Sequence, residues 1–302
     1  MLFLSRLPAQ TVVSELPVHF GQYFNNPQIN PAKGGSEAAV ELYAASRRNS
    51  ENWGGVSTSA FSSYFRLKTK SESFNTLGLD LNTDKEGPVL SRNRAYGSFS
   101  RHQKLNETWF LAGGISAGIY NFGIKSSDQF AGASAIAFDG NSGIWLCTKA
   151  TKLGLSVLQF NNAKVRPFEQ AIQLTRHYYF TGEQNLHVNE FFQLTPSVFA
   201  RYVERNLNPF IQTWSLGGVF NVLLNDIVSF GTSYEKQEGF YAFIGIQNVC
   251  MACGENKKND LNALSIDISF FMPNRNNYRT NTHAFEIVLR YNYTGTKVAP
   301  RT

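Results

Sequence analysis

Three cysteines and five histidines are the residues of this 302-residue chain best suited to metal or redox chemistry. Cys250-Met251-Ala252-Cys253 is a lone CxxC. A zinc site draws about four ligands at characteristic spacing, and neither a second pair nor a neighbouring His accompanies this one. A thioredoxin-like dithiol needs a βαβ setting, which the chain lacks. Two readings remain, a local disulfide in an oxidising compartment or two free thiols in a loop, and Cys147 reads as a small residue of a strand. His19, His102, His177, His187 and His283 show no repeated metal spacing. Neither a Gly-x-Ser-x-Gly elbow nor a phosphate-binding loop occurs. The sequence therefore predicts no enzyme, no metal and no cofactor. A Ser–His pair on an outer barrel wall, of the lipase kind, is the catalytic alternative it leaves.

The elements carrying these residues alternate in polarity. In the segment 284–293, Phe285, Ile287, Leu289, Tyr291 and Tyr293 point one way, and Glu286, Arg290 and Asn292 the other. Successive strand residues face opposite sides, so this strand has one apolar and one wet face. The pattern recurs near residues 38–44, 57–67, 76–82, 92–101, 109–122, 143–147, 152–160, 175–182, 191–203, 214–222, 228–234, 240–247 and 264–272. With the last strand the count is about fourteen, and an even number suits a bacterial barrel with both ends in the periplasm. A soluble sandwich also alternates. The non-lipid face is rich in Gly and Ser, however, and segments such as 109–122 and 191–203 reach the ~9–11 residues that cross a bilayer at a tilt. The predicted fold is all-β, a transmembrane antiparallel barrel with a short irregular N-terminal segment.

Hydrophobic residues make up 42% and aromatics 14% of the chain, with 25 Phe and 13 Tyr, which suits lipid-facing bands and interfacial girdles. No run of about 18 uncharged apolar residues exists, so a helical span is excluded. The net charge of +6 is scattered rather than gathered into a stripe, which argues against nucleic acid as a partner. Residues 1–9 read as the remnant of a signal peptide, 10–35 as an N-terminal Asn-Pro segment, 36–293 as the barrel and 294–302 as a tail. Counting from a periplasmic start puts connections 46–56, 83–91, 121–141, 161–174, 204–209, 235–239 and 273–282 outside. Connections 68–73, 102–107, 225–226 and the long 249–260 then fall inside.

The stretch Gln22-Tyr23-Phe24-Asn25-Asn26-Pro27-Gln28-Ile29-Asn30-Pro31-Ala32 does not alternate. Its two Asn-Pro pairs deny helix and force extended or turn geometry. Held before the first strand, it reads equally as a plug of the periplasmic mouth, a rigid docking ribbon, or a linker. Gln22, Tyr23, Asn26, Pro27, Asn30, Pro31 and Ala32 are accordingly the candidate partner-binding residues. Tyr291 and Tyr293 are the candidate barrel-assembly signal, since a terminal aromatic strand suits handover to insertion machinery; interfacial anchoring is the plainer role.

These residues also carry a resemblance. Gln22-Tyr23, Asn26-Pro27, Ile29-Asn30-Pro31-Ala32 and Gly34-Gly35 look like the opening signature of the PorP/SprF family. The likeness continues through Leu77-Gly78-Leu79, the run Asn82 to Gly87, Arg176-His177-Tyr178-Tyr179 and Leu194 to Val198. It extends through Asn221 to Asp226 and Gly231 to Tyr234, and closes with His283 to Tyr291. The resemblance implies an outer-membrane barrel of Bacteroidota tied to type IX secretion and gliding motility. Its expected partners are outer-membrane lipids, periplasmic secretion components and one large secreted adhesin that it helps export or attach. A passive porin or solute channel is the rival expectation.

Overall fold

The computed structural model describes residues 27–49, 56–67, 72–126, 132–167, 171–204, 214–236, 239–250, 262–274 and 283–294. Fourteen long strands make the wall: β1 (Val40–Asn49), β2 (Val56–Leu67), β3 (Phe74–Glu86), β4 (Leu90–Lys104), β5 (Phe110–Ile124), β6 (Ala133–Cys147) and β7 (Thr151–Leu158). They continue as β8 (His177–Gln184), β9 (Phe192–Val203), β10 (Trp214–Leu224), β11 (Val228–Glu235), β12 (Gly239–Cys250), β13 (Asn262–Pro273) and β14 (Ala284–Tyr293). Every neighbour is antiparallel, and β14 returns to β1 with Tyr291 opposite Leu42, so the sheet closes. Closure leaves no lateral edge around most of the wall, the condition for backbone in hydrocarbon.

The two faces sort as the alternation requires. In β3, Leu77, Leu79 and Leu81 are each more than 40% exposed on the outside, while Thr76, Asp80 and Asn82 are buried in the lumen. The same division holds for Phe285, Ile287 and Leu289 against Glu286 and Val288 in β14. Apolar surface on this scale is not left to water by soluble monomers, and a bilayer covers it. Tyr178, Tyr202 and Trp214 pack in sequence with tilted rings at the outer rim, their centroids 5.8 and 4.8 Å apart, as an interfacial girdle would.

Three inner turns among the described residues are capped by their own side chains. Asn106 Oδ1 accepts the amides of Thr108 and Trp109, Thr148 Oγ1 those of Ala150 and Thr151, and Asn189 Oδ1 those of Phe191 and Phe192. Asn225 and Asp226 both take positive φ in the β10–β11 turn, a mirror-type hairpin turn that matches strand twist.

Three expected connections are shorter than the sequence suggests. Residues 121–141 are mostly strand, with β5 running to Ile124 and β6 starting at Ala133. The inward Ala135 and Ala137 are small because Val165 and Leu174 of the next outer connection pack onto them with Tyr120 and Phe122. Residues 83–91 shrink to a turn at 87–89 with Gly87 at φ +65°. The polar run before it is strand, because its inward Asp84 and Glu86 pair with Arg92. Likewise β4 continues past His102 to Lys104. The lumen also carries more charge than its Gly and Ser content implied, with Arg47, Asp80, Asp84, Arg92, Arg94, Asp139, Arg201, Glu235, Asp267 and Glu286 all buried there. The CxxC loop, the signal remnant and the tail beyond Thr294 lie outside the described residues.

A plugged lumen as the candidate functional site

Residues 27–38 run inside the barrel, from mid-lumen at Gln28 and Ile29 down to the rim where β1 begins. The Asn-Pro pattern forms successive turns: Lys33 N–H donates to Asn30 O (3.0 Å), and Ser36 N–H to Lys33 O (3.1 Å). Asn30 Oδ1 accepts Ala32 N–H at 3.0 Å, an Asx turn. Its Nδ2 donates to Ile144 O (2.9 Å) and Leu155 O (3.4 Å), clasping β6 to β7.

The wall answers the segment's carbonyls in turn. Ser156 Oγ donates to Ile29 O at 2.6 Å. Gly34 O accepts from Ser100 Oγ (3.3 Å) and His102 Nε2 (3.1 Å); a carbonyl only accepts, so Nε2 carries the imidazole proton. Gly35 O accepts from Arg66 Nη2 at 2.8 Å. Below, the Glu41 carboxylate accepts the amides of Gly35, Glu37 and Ala38. Glu41, Arg66, Ser100 and His102 sit in the inner halves of their strands, and Ser156 of the short β7 lies level with Gly143 in the inner half of β6, so the plug fills the periplasmic half of the lumen.

Shape follows the same logic. Ile29 is buried among Leu158, Tyr179 and Phe199, and Ala32 among Ala112, Trp145 and Cys147. A Cβ on Gly143 would lie 2.1 Å from Asn30 Oδ1, and one on Gly114 2.4 Å from Ala32 N. These inward glycines are grooves cut for the plug. Gly35 itself holds φ +73° against Thr76, a conformation open to glycine at little cost.

Charge fastens the lower end. Lys152 Nζ lies 3.3 Å from Glu37 and 2.8 Å from Glu183. The Lys152 ammonium holds the Glu37 carboxyl down to about 2. Lys33 stands over the Trp145 ring at 5.1 Å, and burial pulls its ammonium below the usual range. Above Ile29 a small space near 30 Å³, faced by Asp80, Asn82, Arg94 and Tyr96, has room for one or two waters. Beside the plug, towards β9–β14, a cavity of about 300 Å³ opens between Tyr43, Thr195, Asn221, Gln247, Asp267 and Arg290. Arg290 and Asp267, from the neighbouring strands β14 and β13, pair on its wall at 2.7 Å.

Of the candidate partner-binding residues, Pro27, Asn30, Pro31 and Ala32 lie buried in this plug, while Gln22, Tyr23 and Asn26 fall outside the described residues. Tyr291 and Tyr293 stand on the lipid side at the inner end of β14, with Tyr293 38% exposed. Sequence reasoning missed the receiving wall: Arg66, Ser100, His102, Ser156, Gly114 and Gly143. The signal was there as glycines at inward positions of β5 and β6, where a side chain would ordinarily fill the lumen. Among the described residues no group of three or more His, Cys, Asp and Glu is placed to hold a metal.

A closed, lipid-coated, antiparallel barrel with a polar, internally plugged lumen defines an outer-membrane β-barrel protein. Its architecture matches that of known hydrocarbon channels. The toluene transporter TbuX of Ralstonia pickettii aligns at TM-score 0.52 and 11% identity, over 89% of this chain and 93% of its own. The Pseudomonas putida toluene transporter TodX gives 0.50 and 9%, over 92% and 93%. A Pseudomonas aeruginosa FadL homologue gives 0.51 and 9%, over 93% and 95%. At such identities the likeness concerns the barrel fold alone. No curated relative matches the chain. Over residues 12–291 the sequence matches the type IX secretion system membrane protein PorP/SprF family, and the chain belongs to that family. It is therefore an outer-membrane protein that works with components of the type IX secretion system.

Proposed function

We propose that this barrel is a non-catalytic holder, assisting the export or surface attachment of one large secreted adhesin of the gliding-motility type. The observation that carries the reading is the plug: the chain fills its own inner mouth with a segment bonded to five strands, β1, β2, β4, β6 and β7, which is poor design for a through-pore. Glu37, Glu183 and the rim around the 300 Å³ cavity offer polar, hydrogen-bonding surface to periplasmic secretion components. The candidate contact residues Pro27, Asn30, Pro31 and Ala32 serve in this scheme by holding the plug in place.

The rival reading is a passive channel. The solved hydrocarbon channels share the fold, yet this lumen is lined with paired charges and amides, which suits water and polypeptide better than an apolar solute. Deleting the gene is expected to remove one large surface protein while general secretion and the surface display of other cargo continue. Unchanged display of every such protein, together with steady ohmic conductance of the purified barrel, would favour the channel.

A further inference from the structure

The ladder between β6 and β7 stops short of the outer rim. β7 pairs with β6 only from Ser142 opposite Val157 down to Cys147 opposite Lys152. β6 runs on to Ala133 and stays paired with β5 along its whole length. Just above the ladder, Phe160 N–H donates to Gly140 O (3.0 Å) and Asn161 Nδ2 to Phe138 O (2.7 Å). Both backbone groups of an antiparallel residue point to the same neighbour, so the even-numbered residues of β6 face away from β5. On that side the N–H of Phe138 and both groups of Ser134 and Ile136 meet no partner among the described residues.

The level of this edge follows from the register. Ile136 lies beside Asn121, Asn121 beside Asn93, and Asn93 beside Thr83, a row of polar outward side chains. One row lower, Phe138, Ile119, Ala95 and Leu81 belong to the apolar band. The free edge thus starts where hydrocarbon gives way to headgroups. Ile136 and Phe138 are each 65% exposed on its outer face. On the inner face Ala135 and Ala137 are backed by Val165 and Leu174, so the edge is rigid.

We propose that Ser134–Phe138 of β6 is a docking strand for an extended segment of a partner polypeptide, which adds to the sheet in line with β7. The segment would carry apolar side chains outward beside Ile136 and Phe138 and small ones inward. Strand addition of this kind takes affinity from main-chain bonds and specificity from alternate side chains. The inference rests on the reading that the barrel serves a polypeptide, and it says where that polypeptide is held. A second copy of this chain fits poorly. Antiparallel pairing of two β6 edges needs one barrel inverted in the membrane, and parallel pairing turns the copy's Ile136 and Phe138 to the opposite face of the joined sheet.

The test is residue-resolved amide exchange on the full chain in detergent, with a seven-residue peptide of alternating Val and Thr bearing a photoreactive end group. Without peptide, the Ala135 and Ala137 amides, bonded to β5, should exchange about a thousandfold more slowly than those of Ser134 and Ile136. Adding the peptide should slow Ser134 and Ile136 by about tenfold and give a cross-link on β6. Ile136→Pro, or Ser134→Pro should the first variant fold badly, removes an N–H on the free side only and should abolish both effects. Protection of Ser134 and Ile136 without peptide would mean that the chain covers its own edge. Protection that grows with barrel concentration would assign the edge to a second copy. Cross-linking unaffected by either proline would make contact there incidental. Each of these overturns the inference, and each leaves the gene-deletion test of the proposed function intact.

Discussion

Replacing Gly114 by alanine should loosen the plug while leaving the wall intact. The added Cβ would sit 2.4 Å from Ala32 N and 2.5 Å from Ala32 Cα, well inside ordinary contact. Both obstacles are backbone atoms, so no rotamer change relieves the overlap and the plug must move. Overpacking of this kind typically costs about 1–3 kcal/mol. At roughly 1.4 kcal/mol per decade, that shifts the docked-to-released balance by about 5- to 150-fold. Cys147 is a built-in reporter, since it faces the lumen, is buried and packs on Ala32. In a Cys250→Ser/Cys253→Ser background, a small thiol reagent should therefore modify Cys147 faster in Gly114→Ala by that factor. Gly113→Ala is the control, since a Cβ there meets nothing within 4 Å. Equal labelling of Cys147 in Gly114→Ala and the parent would refute the reasoning, as would equal acceleration by Gly113→Ala.

Arg92→Leu leaves the buried Asp84 carboxylate with Thr58 as its remaining partner and should lower thermal stability by about 3 kcal/mol, read from the heat-modifiable gel shift. Arg92→Leu/Asp84→Leu should recover most of that loss. Tyr293→Ala removes the lipid-facing aromatic at the end of β14 and should slow insertion into vesicles without changing the folded barrel's melting; an unchanged insertion rate would deny Tyr293 an assembly role. The Glu37 carboxyl is held down to about 2 from an ordinary 4.5, so its link to Lys152 contributes fully above pH 4.5 and fades as pH falls towards 2. Labelling of Cys147, taken relative to a small free thiol at the same pH because the thiolate is the reactive form, should accordingly rise only in that acid window, modestly because Glu37 is partly solvated, and Glu37→Gln should flatten the profile.

The barrel was legible because lipid and water impose a period of two on every strand. Each of the fourteen alternating segments corresponds to one strand, and the lipid faces of β3, β9, β13 and β14 carry the side chains the alternation placed there. Legibility failed where a strand face answers to another part of the chain. Ala135 and Ala137 look like loop residues because their bulk is supplied by Val165 and Leu174. Asp84 and Glu86 look like loop residues because their partner, Arg92, comes from the next strand. The plug was visible as an irregular Asn-Pro stretch with three open readings. What settles its position is Asn30 reaching Leu155, 125 residues away, a contact no local pattern encodes.

That separation has a consequence for the order of assembly. The segment emerges from the ribosome before any strand, yet the groups that hold it belong to β1 through β9, all made later. Its partners on β2, β4, β6 and β7 come together around it only as the sheet curls towards the β1–β14 seam. A segment made before every strand is thus among the last to find its place, since its partners become neighbours only once the sheet has curled.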